Sequence, residues 1–158
     1  MAGQALMECV ILIGLPAAGK TSFYRERFAA THDHVSKDLL GNNRRSDRRQ
    51  EQLIVASLSQ GRSVVVDNTN TTRSARAAII GIARAHGAEI SAYYFPTDVQ
   101  DALRRNRARE GRDRVPDVAI FAARTRLEPP SLEEGFDRLF VVRLNEAIRG
   151  FEVSPWKP

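Results

Sequence analysis

The chemistry legible in this chain starts at Gly14-Leu15-Pro16-Ala17-Ala18-Gly19-Lys20-Thr21, where two glycines, a lysine and a hydroxyl stand at the spacing of a phosphate-binding loop. Gly14 and Gly19 free the backbone to turn its N–H groups onto phosphate oxygens. A helix opening near Lys20 would point its positive end at the same place. Lys20 then reaches the β- and γ-phosphates of a nucleoside triphosphate, Thr21 ligates magnesium, and Ser22 carries the loop into the helix. This pattern specifies a donor and leaves the acceptor open, since one loop serves hydrolysis, metabolite kinases and polymer kinases alike.

Two carboxylates stand where an acceptor and a metal would need them. Asp38 follows a weak apolar segment at 33–36; it reads as a general base for an acceptor hydroxyl, or as a helix N-cap before Leu39-Leu40. Asp67 closes the apolar run 63–67 and leads into Asn68-Thr69-Asn70. An acid there acts on magnesium through water, or else opens an Asx turn.

Arginine supplies nearly all the positive charge: of 24 basic residues only Lys20, Lys37 and Lys157 are lysines, and the formal net charge is +5. Arginine forks suit phosphates, although genomic composition bias would produce the same count, so position has to decide. Six of the eleven residues Arg104–Arg114 are arginine, which a solvated Glu/Lys helix face would not be. This stretch is expected to act as a lid over the triphosphate, with Arg105 and Arg109 four apart on one helical face. A second cluster, Arg44, Arg45, Arg48 and Arg49, follows Asp38 and fits either nucleic-acid phosphates or plain solvation.

The elements that must hold these groups alternate. Apolar runs at 9–13, 63–67, 90–95 and 138–142, with the weaker 33–36, read as strands. Helical patterns lie between them at 20–30, 46–60, 72–86, 98–109 and 116–127. The spacing implies a three-layer α/β domain with a mainly parallel sheet, whose ligand lies at the carboxyl ends of the strands. The 158 residues make one domain, the lid at about 98–127, and 151–158 reads as a tail.

No apolar run approaches the ~18 residues that cross a bilayer, so no membrane partner is expected. The lone Cys9 rules out an internal disulfide and is assigned to packing; with no signal-like N-terminus, the expectation is a cytoplasmic protein. His32, His34 and His86 show no metal-ligand spacing, and Phe121 and Phe136 are assigned to the core. No Ser-His-Asp arrangement occurs, and no Asn-Lys-x-Asp base-reading loop supports a nucleotide switch.

Taken together, these residues resemble the kinase module of the polynucleotide 5′-hydroxyl kinase family, within the P-loop phosphotransferases. The likeness spans roughly 9–143. It rests on Gly14–Thr21, Ser36-Lys37-Asp38-Leu39-Leu40-Gly41, Gly61-Arg62 with Val66-Asp67-Asn68-Thr69-Asn70, Arg105-Asn106 with Arg109, Val115-Pro116, and the run Leu127-Glu128-Pro129-Pro130-Ser131-Leu132-Glu133-Glu134-Gly135-Phe136. The last has no generic catalytic rationale.

The resemblance implies a P-loop kinase fold with an arginine-rich helical lid, and transfer of the γ-phosphate of ATP or GTP, with Mg²⁺, to a 5′-hydroxyl end of DNA or RNA. It makes Asp38 the acceptor base and Lys20, Arg105 and Arg109 the donor-side catalytic groups. It puts Arg45, Arg76, Asn68 and Asn70 on the acceptor side. Lys37 departs from the arginine common before the catalytic Asp, and no phosphatase segment with paired aspartates is present. A small-molecule kinase acting on a metabolite or antibiotic hydroxyl is the alternative. Oligomeric state, a homo-oligomer included, stays open.

Overall fold

Cys9 to Ile13 are apolar without a break, and such a run forms a strand when helices cover both faces of a parallel sheet. In the computed structural model, which describes residues 6–40 and 45–157 except the side chain of Arg112, this strand is β1, Glu8–Gly14. Gly41 and Arg44 lie outside the described residues. The order continues α1 Lys20–Arg27, β2 Asp33–Val35, a 3₁₀ turn Lys37–Leu40, α2 Ser46–Ser59, β3 Val64–Asp67 and α3 Arg73–Ala85. It closes with β4 Glu89–Phe95, α4 Val99–Arg107, α5 Asp117–Arg126, β5 Arg138–Asn145 and β6 Gly150–Pro155.

The strand order is β2-β3-β1-β4-β5-β6. The first five strands run parallel, as expected, and β6 is antiparallel to β5. Side-chain alternation along β1 feeds two cores: Cys9, Ile11 and Ile13 pack with Ile54 of α2 and Ile79 of α3, while Val10 and Leu12 pack with Phe23 and Tyr24 of α1. A third cluster joins Leu15 to Val99, Ala102 and Leu103 of α4 and Ile120 and Ala123 of α5. That cluster seats α4 and α5 against the phosphate loop. Burial pushes the Cys9 thiol up to about 12, which suits a packing role.

Strands β2 and β3 are added on one side of β1 and β4 and β5 on the other, so the order of addition switches at β1 and its carboxyl end opens at a topological switch point. Close packing there requires glycine. A Cβ on Gly14 would lie 3.0 Å from the Phe95 Cβ, and Gly19 has φ +99° with the Phe151 ring 3.2 Å from where its Cβ would stand.

Three expectations need correcting. Residues 150–155 are not a tail but a strand paired from Asn145↔Gly150 to Phe140↔Pro155, because Phe151 and Val153 find an apolar face on the α1 side of the sheet. Phe136 is buried, yet Phe121 is 48% exposed and outside the core. Finally, α4 ends at Arg107, so Arg109 lies beyond the helix that carries Arg105.

Phe151 meets Phe23 edge-on at 5.3 Å, the geometry aromatic pairs favour. Phe151→Ala is expected to lower stability by about 2–3 kcal/mol, just below the range for a fully buried Phe because Phe151 is half-buried. Urea denaturation midpoints check this; an unchanged midpoint would show β6 to be a passive edge.

Candidate functional site

The phosphate loop is the link between β1 and α1, so its backbone is held at both ends. Gly14 N donates to Thr69 O at 3.0 Å, which ties the loop to the residues following β3. Leu15, Ala17 and Ala18 are buried, Ala17 at φ 65°, and Gly19 caps α1. Pro16 is half-buried and Ser22 is exposed on the first turn. Lys20 is 7% exposed, and its Nζ donates to Gly14 O at 3.0 Å and Leu15 O at 2.6 Å. Burial depresses the Lys20 ammonium to about 8, opposed by the charge of Asp67, reinforced by Arg109 and opposed again by Asp38. Arg109 and Asp38, distant in sequence, thus both act on this one ammonium.

Beside the loop, Thr21 Oγ1 donates to Asp67 Oδ2 at 2.7 Å, and His34 Nε2 meets the same oxygen at 2.8 Å. Asp67 is 4% exposed, so its carboxylate is held by these partners rather than by water. Tyr24 stacks on His34 with centroids 4.0 Å apart and planes 12° apart. The role of His34 was not foreseen: no local spacing links residues 34 and 67, and only the parallel pairing of β2 with β3 joins them. A hydroxyl and a carboxylate form a hard-oxygen pair that fits Mg²⁺, with phosphates and water completing the shell. Among the described residues no cluster of three His, Cys, Asp or Glu forms a separate metal site.

Asp38 sits exposed in the 3₁₀ turn after β2. The turn is braced on both sides: Lys37 N donates to Asn68 Oδ1 at 2.8 Å, and the Lys37 ammonium pairs with Asp47 at the start of α2. Asn68 in turn donates to Gln50 of α2. Arg45, Arg48, Arg49 and Gln52 line one open concavity on the first turns of that helix.

Two residues expected to hold an acceptor are engaged elsewhere. Asn70, at φ 46° and 6% exposed, donates to Leu12 O at 2.7 Å and Val66 O at 3.3 Å, bridging β1 and β3. Arg76 is fully buried: Nε and Nη2 reach the Glu134 carboxylate at 2.7 and 3.0 Å, and Nη1 donates to the carbonyls of Asn70 and Thr71. The segment 127–136 therefore has a structural rationale, because Glu134 neutralises the arginine that holds the loop after Asp67. Asn68 likewise braces the Asp38 turn rather than standing clear of it.

On α4, Arg105 is half-buried and lies 3.9 Å from Glu146 in the turn between β5 and β6, which Arg104 also contacts at 3.0 Å. Arg109 Nη1 donates to Asp113 O at 3.2 Å. Asn106, fully buried between them, exchanges hydrogen bonds with Val115 (2.7 and 3.0 Å) and so closes the loop at its base. In the sequence Asn106 stood only as part of the Arg105-Asn106 pair that carries the resemblance, with no role of its own.

A sequence profile of the family described as AAA domain matches residues 9–130. The chain is 26% identical over 133 residues to a bifunctional polynucleotide phosphatase/kinase of Schizosaccharomyces pombe, covering 82% of this chain and 32% of that protein. It thus spans about a third of the length of the curated relatives it matches. Among solved structures, a gluconokinase from Sinorhizobium meliloti superposes with TM-score 0.64 at 17% identity, covering 90% of this chain and 86% of that one. A chain of the Pnkp1/Rnl/Hen1 complex superposes with TM-score 0.56 at 21% identity, over 66% and 41% respectively. These structures share the P-loop kinase fold.

Glu134→Ala would leave the Arg76 guanidinium buried and unpaired, and is expected to cost about 3–5 kcal/mol in urea denaturation; a near-normal midpoint would contradict the ion pair. Nucleotide affinity should also weaken with alkali. A bound triphosphate holds Lys20 charged, so binding above about pH 8 takes up a proton, and the dissociation constant rises toward about tenfold per pH unit. Titration of a fluorescent ATP analogue between about pH 7 and pH 10 measures this, and a flat profile would rule it out.

Proposed function

The chain belongs to the AAA domain family, and from that premise we propose that it transfers the γ-phosphate of ATP or GTP to a 5′-hydroxyl end of DNA or RNA, in nucleic-acid end healing. One observation carries the acceptor side: three arginines, seven to eleven residues beyond the exposed Asp38, line a single concavity on the helix whose Asp47 pairs with Lys37 beside Asp38. Successive backbone phosphates need such a surface, while a small neutral acceptor has no use for it. The curated relatives named polynucleotide phosphatase/kinase support the same reading.

In this mechanism the loop N–H groups cradle the donor phosphates, and Lys20 exchanges the carbonyls of Gly14 and Leu15 for β- and γ-phosphate oxygens. Thr21, and Asp67 through water, would hold Mg²⁺, which neutralises charge building between the β- and γ-phosphates. His34 keeps the Asp67 carboxylate aimed. Asp38 accepts the proton of the 5′-hydroxyl as its oxygen bonds to the γ-phosphorus, while the bond to the β–γ bridging oxygen breaks and the nucleoside diphosphate leaves. Arg105 and Arg109 close over the transferring group, Arg105 first leaving Glu146. Arg45, Arg48 and Arg49 hold the acceptor strand.

A second reading, a kinase for a metabolite or antibiotic hydroxyl, has one observation in its favour: the gluconokinase superposes over 86% of its own length. It shares the donor loop and Asp38 but leaves the arginine concavity without a purpose.

The discriminating experiment incubates the protein with γ-labelled ATP, magnesium, and a panel of 5′-hydroxyl DNA, 5′-hydroxyl RNA and small alcohols. Label is expected on the oligonucleotides, and label confined to small alcohols would reject the proposal. On the labelled acceptor, Asp38→Ala is expected to lose ~10²-fold or more in transfer while still binding nucleotide. Near-normal transfer by that variant would remove Asp38 as the base.

A further inference from the structure

The mechanism above leaves the outer face of α5 unused, and that face carries an anomaly. Val118 is 70% and Phe121 48% exposed, three residues apart on one side of the helix, with Thr125 completing the stripe. Among the described residues, Phe121 is the one aromatic side chain in the set of exposed large hydrophobics. The opposite side of α5 meets its own packing needs: Ile120 and Ala123 are buried against α4 and Leu15.

The position of α5 relates this stripe to the reaction. Arg124, one turn beyond Phe121, and Leu127 line a groove with Leu15, Thr97, Asp98, Val99 and Gln100. Leu15 is one of the two loop residues whose carbonyls accept from Lys20 Nζ, so this groove adjoins the phosphate loop itself. Just past the helix, Glu128 N donates to Thr71 O at 2.8 Å, tying the end of α5 to the segment that follows Asp67. Asp38 follows β2 and Thr71 follows the parallel neighbour β3, so the end of α5 and Asp38 belong to the same carboxyl-end side of the sheet.

Charge and ring chemistry select the occupant. From Arg104 to Arg126 the chain carries eight arginines against three acidic residues. Two acids near the groove are occupied within the protein: Asp98 caps α4 by accepting from Gln100 N at 2.7 Å, and Asp117 accepts from Asn106 at 3.4 Å. Arg114, Arg124 and Arg126 are all exposed around the stripe. A flat π-face flanked by guanidinium groups is the arrangement that binds single-stranded nucleic acid without reading its bases.

We propose that Phe121, supported by Val118, is a stacking platform for an unpaired base of the acceptor strand, and that Arg124 holds a neighbouring backbone phosphate. The proposal rests on the polynucleotide reading and adds to it. The acceptor is engaged as a single strand beyond its first nucleotide, along the lid rather than only at α2. Acceptor length then becomes a determinant of affinity and not of the chemical step.

The test measures transfer from γ-labelled ATP to a series of single-stranded 5′-hydroxyl DNAs of increasing length, with wild type, Phe121→Ala, Phe121→Trp and Arg124→Gln. Phe121→Ala is expected to raise KM for a decamer roughly tenfold, within the range that losing one stacked base produces, with kcat little changed. The ratio of mutant to wild-type KM should grow with acceptor length. Phe121→Trp, which keeps a ring, should restore the wild-type KM. Arg124→Gln should flatten the plot of log affinity against log salt by roughly 0.7, the single-strand slope for one phosphate contact. An unchanged KM in Phe121→Ala overturns the platform while leaving the kinase reading intact. A change in oligomeric state of Phe121→Ala with unchanged KM assigns the stripe to a protein contact and overturns it too. No label on any oligonucleotide removes the polynucleotide reading, and the platform with it.

Discussion

The arrangement turns on a guanidinium that has no access to water. Arg76 is fully buried, and a buried charge is tolerable only when its donors are met and its charge balanced. Glu134 supplies the balance, and the carbonyls of Asn70 and Thr71 accept from the remaining nitrogen. That requirement joins α3, the loop after β3 and the segment after α5 into one rigid junction. Asp67 and the Thr69 carbonyl that receives Gly14 N lie just upstream on the same loop. The phosphate loop therefore inherits its position from a pair that touches no phosphate.

A second layer of order comes from charge kept under tension at the donor site. Lys20 is buried against its own loop carbonyls with its ammonium depressed, and Arg109 adds to that depression. Polyanionic phosphates relieve both effects at once. Arg105 is similarly occupied within the protein, drawn toward Glu146 at the turn of the β5–β6 hairpin. Arg105 and Arg109 thus start from different places, one on α4 and one beyond its end. The common helical face expected from their spacing is interrupted where α4 stops at Arg107.

Much of the fold was legible because hydrophobic periodicity is a local signal. The runs 9–13, 63–67 and 90–95 are β1, β3 and β4 to within a residue or two, and the parallel sheet followed from their alternation with helices. β6 was not legible, since Gly150-Phe151-Glu152-Val153-Ser154-Pro155 is short, contains proline and has only two large apolar residues. It becomes a strand because β5 offers an open edge and Phe23 offers a face. Phe121 misled for the converse reason: within an apolar helical pattern it reads as core, and only the position of α4 decides which side of α5 is covered.

By itself, the sequence determined the phosphate loop, the order of the five parallel strands and the helices between them, the carboxylates after two of those strands and the arginine richness of 104–114. Each depends on residue type and near-neighbour spacing, which the backbone cannot change. Tertiary structure alone decided that His34 and Thr21 meet on Asp67, that Asn70 and Arg76 are turned inward, and that Asn68 braces the Asp38 turn. Those contacts join residues brought together by strand pairing and helix packing. A polar side chain commits its hydrogen bonds only once burial has removed water as a partner. Spacing could nominate the residues able to touch a nucleotide or a strand, while packing determined which of them remained exposed to do so.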